Sequence, residues 1–233
     1  MLDIYVINLD KDIDRLNKIK KILNPYTFKR IKAIYGKDIN LKKINNLTFF
    51  ARNFLPKSAI GIYLSHIKTW EAILNSDKDM ALVLEDDAKP ITPDFMKELN
   101  KIIKETPKNW DIIKLQYIYL PFGRSVQFGA YIINKKGIKK CITKKINFHI
   151  DFNLNLYDIN IYHSKEVLFV QEYEKSNNQQ MNYINPFSYT YLFGNYFNVN
   201  YKIFRINNID FSAADYILLV IILFYITIKK IKL

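Results

Sequence analysis

Residues 81–84 read ALVL, and this apolar run ends abruptly in Glu85, Asp86 and Asp87. A stretch with helical spacing lies on each side. Residues 58–75 carry apolar side chains at 60, 63, 64, 67, 70, 73 and 74, with Ser58 as the expected N-cap. Residues 92–107 open with Thr92 as cap and Pro93 in the first helical position. A short, wholly apolar strand between two helices is buried on both faces. The same alternation runs along the chain. Residues 3–9 (DIYVINL) alternate as a strand, and KDIDRLNKIKKIL follows as a helix with apolar positions 13, 16, 19, 22 and 23, closed by Pro25. Residues 28–34 predict a short strand, as do DIIKLQYI and FGAYIINKK. The expected fold class is therefore α/β, with a mostly parallel sheet flanked by helices. Residues 37–57 read as a loop with a short helix, and the Asn- and Tyr-rich stretch 176–208 as a weakly patterned region or a lid.

The acidic triplet falls at the carboxyl end of a strand, where open α/β sheets bind ligands. Three adjacent carboxylates repel one another and lose hydration there, which calls for a metal ion or a basic cluster. A hard cation such as Mg²⁺ or Mn²⁺ takes oxygen ligands, commonly one or two carboxylates plus substrate phosphates. If the strand persists, Glu85 and Asp87 point one way and Asp86 the other. The plain alternative is a solvated acidic turn.

The net charge of +13 points to an anionic partner. Of 35 basic residues 30 are Lys, scattered along the chain, and Arg, the better fork for phosphates and base edges, is scarce, so nucleic acid is not an expected partner. The single cysteine, Cys141, fits a reducing compartment and reads as buried packing. The N-terminus reads as a strand, not a signal peptide. Near the other end, residues 216–228 are apolar except for Thr227 and are followed by KKIKL. The expected organisation is a domain over 1–208 and a hydrophobic, membrane-associated helix over 209–233. That helix either spans a bilayer, lies in its interface or packs on the domain.

Six ordered blocks carry a family resemblance. IYVINLDKDIDR supplies Asn8, Leu9 and Arg15; KAIYG supplies Ala33 and Gly36; AIGIYLSHIKTWEAI supplies Ile60, Gly61, Leu64, Ser65, His66 and Trp70. ALVLEDDA, WDIIKL and FGAYIINKKG (Gly129, Ala130, Tyr131, Gly137) follow, and Asp151 in HIDFNL falls where a later acid stands. Together they resemble glycosyltransferase family 25, the lipooligosaccharide galactosyltransferases and collagen galactosyltransferases. The resemblance implies a GT-A-like fold, a UDP-sugar donor, Mn²⁺ or Mg²⁺, a glycan or glycolipid acceptor such as a lipopolysaccharide precursor, and inversion at the anomeric carbon. It implies that Asp87, with Glu85 or Asp86, holds the metal on the diphosphate, and that Asn8 and Arg15 approach the nucleotide. Asp151 is then the candidate base for the acceptor hydroxyl, and the L-S-H match adds His66.

His149 and Asp151 point the same way on an extended segment and suggest an acceptor-side pair, and His163 is a further candidate ligand. Trp70 and Trp110 read as packing. The chain departs from the family pattern at Lys32, Tyr35, Ala59 and Ile62, which leaves a catalytically degenerate, membrane-associated scaffold as the rival expectation. The lysines after the apolar run favour a cytoplasmic C-terminus, so the expected placement is membrane-associated with the domain facing the cytoplasm.

Overall fold

The computed structural model describes residues 2–116 and 127–172, and the backbone of two later strands. The chain divides into two compact units, Met1–Gln179 and Gln180–Leu233.

The first unit begins β1 (Asp3–Asn8), α1 (Ile13–Leu23), β2 (Lys29–Lys32), α2 (Phe49–Phe54), α3 (Lys57–Leu74) and β3 (Met80–Glu85). It continues β4 (Ala88–Pro90), α4 (Phe95–Glu105), β5 (Ile112–Lys114), β6 (Ala130–Asn134) and α5 (Lys135–Cys141). Then come α6 (Ile150–Asn153), β7 (Ile161–His163) and β8 (Phe169–Gln171). Six strands form one sheet in the order β2-β1-β3-β6-β5-β7. Every neighbouring pair is parallel except those made by β6, which runs antiparallel to β3 and β5. The mostly parallel α/β expectation holds. The small β4–β8 pair is separate and antiparallel.

Both faces of the sheet are covered. Ile4, Val6, Leu82, Leu84, Ile113 and Ile132 pack against Ile19 and Leu23 of α1 and Phe95, Met96 and Leu99 of α4. Each such side chain contributes about 1.5–3 kcal/mol by leaving water. The alternate residues face α3, where the Trp70 indole N–H donates to the Tyr131 hydroxyl at 2.8 Å. Helix α3 presses on the loop after β2: a Cβ at Gly61 would sit 2.6 Å from the Ile34 carbonyl oxygen. Ser65 Oγ accepts the Ile34 N–H at 2.8 Å. Two of the sequence blocks, KAIYG and AIGIYLSH, are thus two sides of one close contact.

Local details differ from expectation. Helix α3 starts two residues early, with Pro56 rather than Ser58 at the N-cap, so Ser58 lies buried in the first turn. Thr92 does not cap α4, which has Asp94 in that position. The strand expected over FGAYIINKK ends at Asn134, whose side chain accepts the Gly137 N–H and starts α5. In the second unit β9 (Lys202–Ile206) pairs antiparallel with β10 (Ile209–Ser212). Residues 209–212, expected to begin the C-terminal helix, are therefore strand. The apolar run 216–228 lies outside the described residues, as does most of 176–208. Among the described residues no helix is long and apolar enough to cross a membrane.

Candidate functional site

The carboxyl ends of β1, β3 and β5 and the start of antiparallel β6 meet at one edge of the sheet. Strand β3 delivers Glu85 there, and the chain then turns toward β4, so the strand alternation does not continue through the triplet. Asp86 and Asp87 share a partner instead. Arg15 Nη1, in the first turns of α1, lies 3.1 Å from Asp86 Oδ1 and 3.6 Å from Asp87 Oδ2. Asn8, at the end of β1, is buried and donates to Asp86 Oδ2 at 2.7 Å, while its own Oδ1 accepts Arg30 Nε at 2.9 Å. Its side chain is thereby committed to holding Asp86. Gln171 of β8 donates to Asp87 Oδ2 at 2.9 Å.

One guanidinium cannot compensate this cluster. Burial opposes the charge on Arg15, but Asp86 and Asp87 outweigh it and its pKa moves up. Burial also moves Asp86 up, and the pull of Asn8 and Arg15 does not cancel it. Asp87 is pushed furthest, to about 7, by burial first and then by the charge of Glu85. Its Oδ1 is buried with no hydrogen-bond partner among the described residues. Three carboxylates against one arginine leave a formal charge of minus two, which suits a divalent cation held by one or two carboxylates and completed by phosphate oxygens. Among the described residues no group of three His, Cys, Asp or Glu side chains forms a cage for a metal. A site completed by a ligand's oxygens fits the donors present.

Glu85 lies on the α3 face. His66 Nε2 is 3.2 Å from its Oε1, and His66 Nδ1 is 2.8 Å from the Tyr131 hydroxyl. One proton assignment satisfies the whole chain: Trp70 N–H donates to Tyr131, Tyr131 O–H to His66 Nδ1, and His66 Nε2–H to Glu85. Burial raises the Tyr131 hydroxyl well above its usual range, which keeps that proton in place. His66 is fully buried with both ring nitrogens engaged.

Asp151 lies in the first turn of α6, with His149 at the N-cap. His149 Nδ1 is 3.1 Å from Asp151 Oδ2. Burial opposes a charged His149, but Asp151 outweighs it and the pKa rises, with a smaller contribution from Glu85. Lys114, fully buried at the end of β5, is lowered to about 8 by burial, an effect the Asp151 charge partly offsets. Its Nζ lies over the Phe128 ring, 4.9 Å from the centroid. His163 stands opposite Lys114 in the β5–β7 register, and burial and that lysine lower its pKa. Gln116, also buried, has no partner for either amide atom among the described residues; a Cβ at Gly129 would come within 2.5 Å of its Oε1. Lys114 and Gln116 were not anticipated from the sequence. The signal was there: a lysine and a glutamine inside an otherwise apolar strand, WDIIKLQ.

Among the departures, Lys32 pairs with Asp10 at 2.6 Å, Tyr35 lies under the Lys11 ammonium, and Ala59 is buried. Trp110 belongs to the core, and Cys141 is buried, with its thiol pushed up to about 12.

Residues 1–219 match the family described as Glycosyltransferase family 25 (LPS biosynthesis protein). Procollagen galactosyltransferase 1-B of Xenopus laevis is 27% identical over 130 residues, 48% of this chain and 21% of that protein. A glycosyltransferase 25 family member of Anopheles gambiae is 26% identical over 123 residues, 47% of this chain and 21% of that protein. The chain thus spans about a fifth of the length of these curated relatives. Among solved structures, a glycosyltransferase involved in glycosylation of the major capsid of PBCV-1 is similar over 78% of this chain and 98% of its own, at 12% identity and a TM-score of 0.47. A Drosophila β-1,4-galactosyltransferase 7 mutant in complex with manganese, UDP-Gal and xylobiose is similar over 77% of this chain and 78% of its own, at 7% identity and a TM-score of 0.37. With a match over nearly its whole length, the chain belongs to glycosyltransferase family 25.

Proposed function

We propose that this chain is a glycosyltransferase that moves a hexose, galactose or glucose, from a UDP-sugar to a hydroxyl of a glycan or glycolipid, with inversion and with Mn²⁺ or Mg²⁺. The observation that carries the reading is Asp87, a half-buried carboxylate with one buried, unpartnered oxygen, in a cluster one divalent cation short of neutral. The galactosyltransferase name of one curated relative points the same way.

In this reading Asp87 and Glu85 hold the cation, which when bound supplies charge neutralisation at the leaving diphosphate. Asn8 and Arg15 fix Asp86 and Asp87 before the donor arrives, so little reorganisation accompanies binding. His66 is a positioning residue: its Nε2–H holds one oxygen of Glu85. Asp151 accepts the proton of the acceptor hydroxyl. His149 on Oδ2 orients it, and part of the Asp151 side chain stays open to solvent. Gln116 is a candidate reader of sugar hydroxyls, since a carboxamide both donates and accepts. The acceptor is a precursor of lipopolysaccharide or a related glycan, assembled at the cytoplasmic face of a membrane, where an anionic leaflet attracts a chain of +13.

The test is calorimetric titration of UDP into the full chain with and without Mn²⁺. UDP binding that requires the metal and disappears in Asp87→Ala is the expected result. No binding with any divalent metal would overturn the reading.

A further inference from the structure

Two distant segments of the chain run side by side. The residues Lys-Lys-Ile-Asn occur at 42–45 and again at 144–147. Leu47 and Ile146 form a parallel bridge, Ile146 N–H donates to the Asn46 carbonyl at 2.8 Å, and Thr48 N–H donates to the Ile146 carbonyl at 3.1 Å. Thr48 then caps α2 by accepting the Ala51 N–H. This pairing brings the phenylalanines after each segment together. The Phe50 ring lies 5.3 Å from Phe54 and 5.2 Å from Phe148, centroid to centroid.

These rings are not core. Phe49 is 80% exposed, and Phe50, Phe54, Phe148 and Phe152 are exposed too. Large apolar side chains gathered on one surface mark a contact site. The sequence that flanks them is mostly basic, with Asp38 and Asp151 at its margins. From Ile39 to Trp70 the sequence has five basic residues and no acidic one, and from Lys135 to Ile150 six lysines and no acidic one. Lys42, Lys43 and Lys145 are exposed. Arg52 ties the lysine-bearing turn to α2 by donating to the carbonyls of Leu41 and Ile44.

We propose that this surface, Phe49, Phe50, Phe54 and Phe148 with Lys42, Lys43 and Lys145, docks on an anionic phospholipid bilayer, the rings entering the interface and the lysines meeting lipid phosphates. Exposed phenylalanines flanked by a predominantly basic sequence match that one environment in both respects. A soluble polyanion would use the lysines and leave the rings in water. The proposal does not depend on the sugar or the metal. It adds a docking site to the folded domain, separate from the apolar run at 216–228. The segment that carries Phe148 also carries Asp151, so docking would bring the acceptor side of the site to the lipid surface.

The experiment is a local one, because the 216–228 run is itself apolar. Phe49→Trp is made in the full chain, whose two native tryptophans are buried. Its emission is followed with vesicles of phosphatidylcholine alone, vesicles containing phosphatidylglycerol, and brominated lipid. Expected is a blue shift and bromine quenching with anionic vesicles and neither with neutral ones. Lys42→Glu/Lys43→Glu/Lys145→Glu should weaken the vesicle affinity read by this probe on the order of a hundredfold. Protein that sediments with vesicles while the introduced indole stays in water would overturn the proposal and leave attachment to the C-terminal run. So would an indole already shielded without lipid, at low concentration (cover by the chain itself) or only at high concentration (a second copy). An equal response to heparin would also overturn it.

Discussion

Two carboxylate sites, one buried and one half-buried, stand at opposite ends of the strands. At the start of β5, Asp111 is fully buried, paired with Lys140, and accepts the Asn160 N–H at 2.9 Å. At the end of β3, Asp86 and Asp87 share Arg15, and Glu85 beside them meets His66. Asp111 Oδ1 and Asp87 Oδ1 both lack a partner among the described residues, so an orphan oxygen alone does not separate structure from site. Charge balance does. Asp111 has a lysine of its own and staples β5 to α5, while the β3 triplet is left with uncompensated charge that burial makes costly. A fold tolerates such a deficit where a ligand completes it.

The largest expected effect comes from Asp87→Asn, which should reduce metal-dependent transfer on the order of a thousandfold. The same change should raise stability. Asp87 titrates near 7 when folded and near 3.8 when unfolded. Below that lower value both states hold the proton. As pH rises through this window the unfolded chain releases it first, so stability falls until about pH 7 and then levels. Asp87→Asn removes that penalty, a gain of about 2 kcal/mol at pH 8 and none near pH 4. Mn²⁺ must also displace the proton, so wild-type affinity should rise up to about tenfold per pH unit below 7. Thermal melts at the two pH values and Mn²⁺ titrations check each part. A lower melting temperature for Asp87→Asn at pH 8 would place Asp87 with Asp111 as a structural group.

The second effect sharpens the contrast by removing the cation at each end. Lys140→Met strands a buried carboxylate and should lower the melting temperature. Arg15→Met should destabilise as well, since Asp86 and Asp87 lose their counter-charge. Mn²⁺ should restore the melting temperature of Arg15→Met and leave that of Lys140→Met unchanged. Equal response of the two variants to the metal would break the comparison.

Much of this edge was readable in the sequence, and the unread part has physical causes. The alternation of 3–9 and the apolar run 81–84 are strands in the structure because a covered sheet requires that pattern. The direction of β6 was not readable, since an apolar run reads alike in parallel and antiparallel pairing. The opposed directions expected for Asp86 and Asp87 failed because strand geometry stops at Glu85, where the chain turns into β4. Asn8 grips Asp86, a contact across 78 residues that local spacing does not encode. Lys114 and Gln116 were absorbed into a hydrophobic strand because periodicity weighs the strand and not its exceptions.

The smallest effect tests how Glu85 is held. Tyr131→Phe deletes one hydroxyl and leaves the Trp70 N–H and His66 Nδ1 without it, at a cost of about 1–2 kcal/mol. That loss alone would describe any buried tyrosine. If the relay from Trp70 through Tyr131 and His66 positions Glu85 for a cation, Mn²⁺ affinity should also fall a few-fold, because the imidazole is then free to change tautomer and release its Nε2 proton from the carboxylate. Melting curves and Mn²⁺ titrations on the same sample separate the two. A lower melting temperature with unchanged Mn²⁺ affinity would make the relay packing only, and would leave Asp87 as the one protein ligand on which the contrast between the two ends rests.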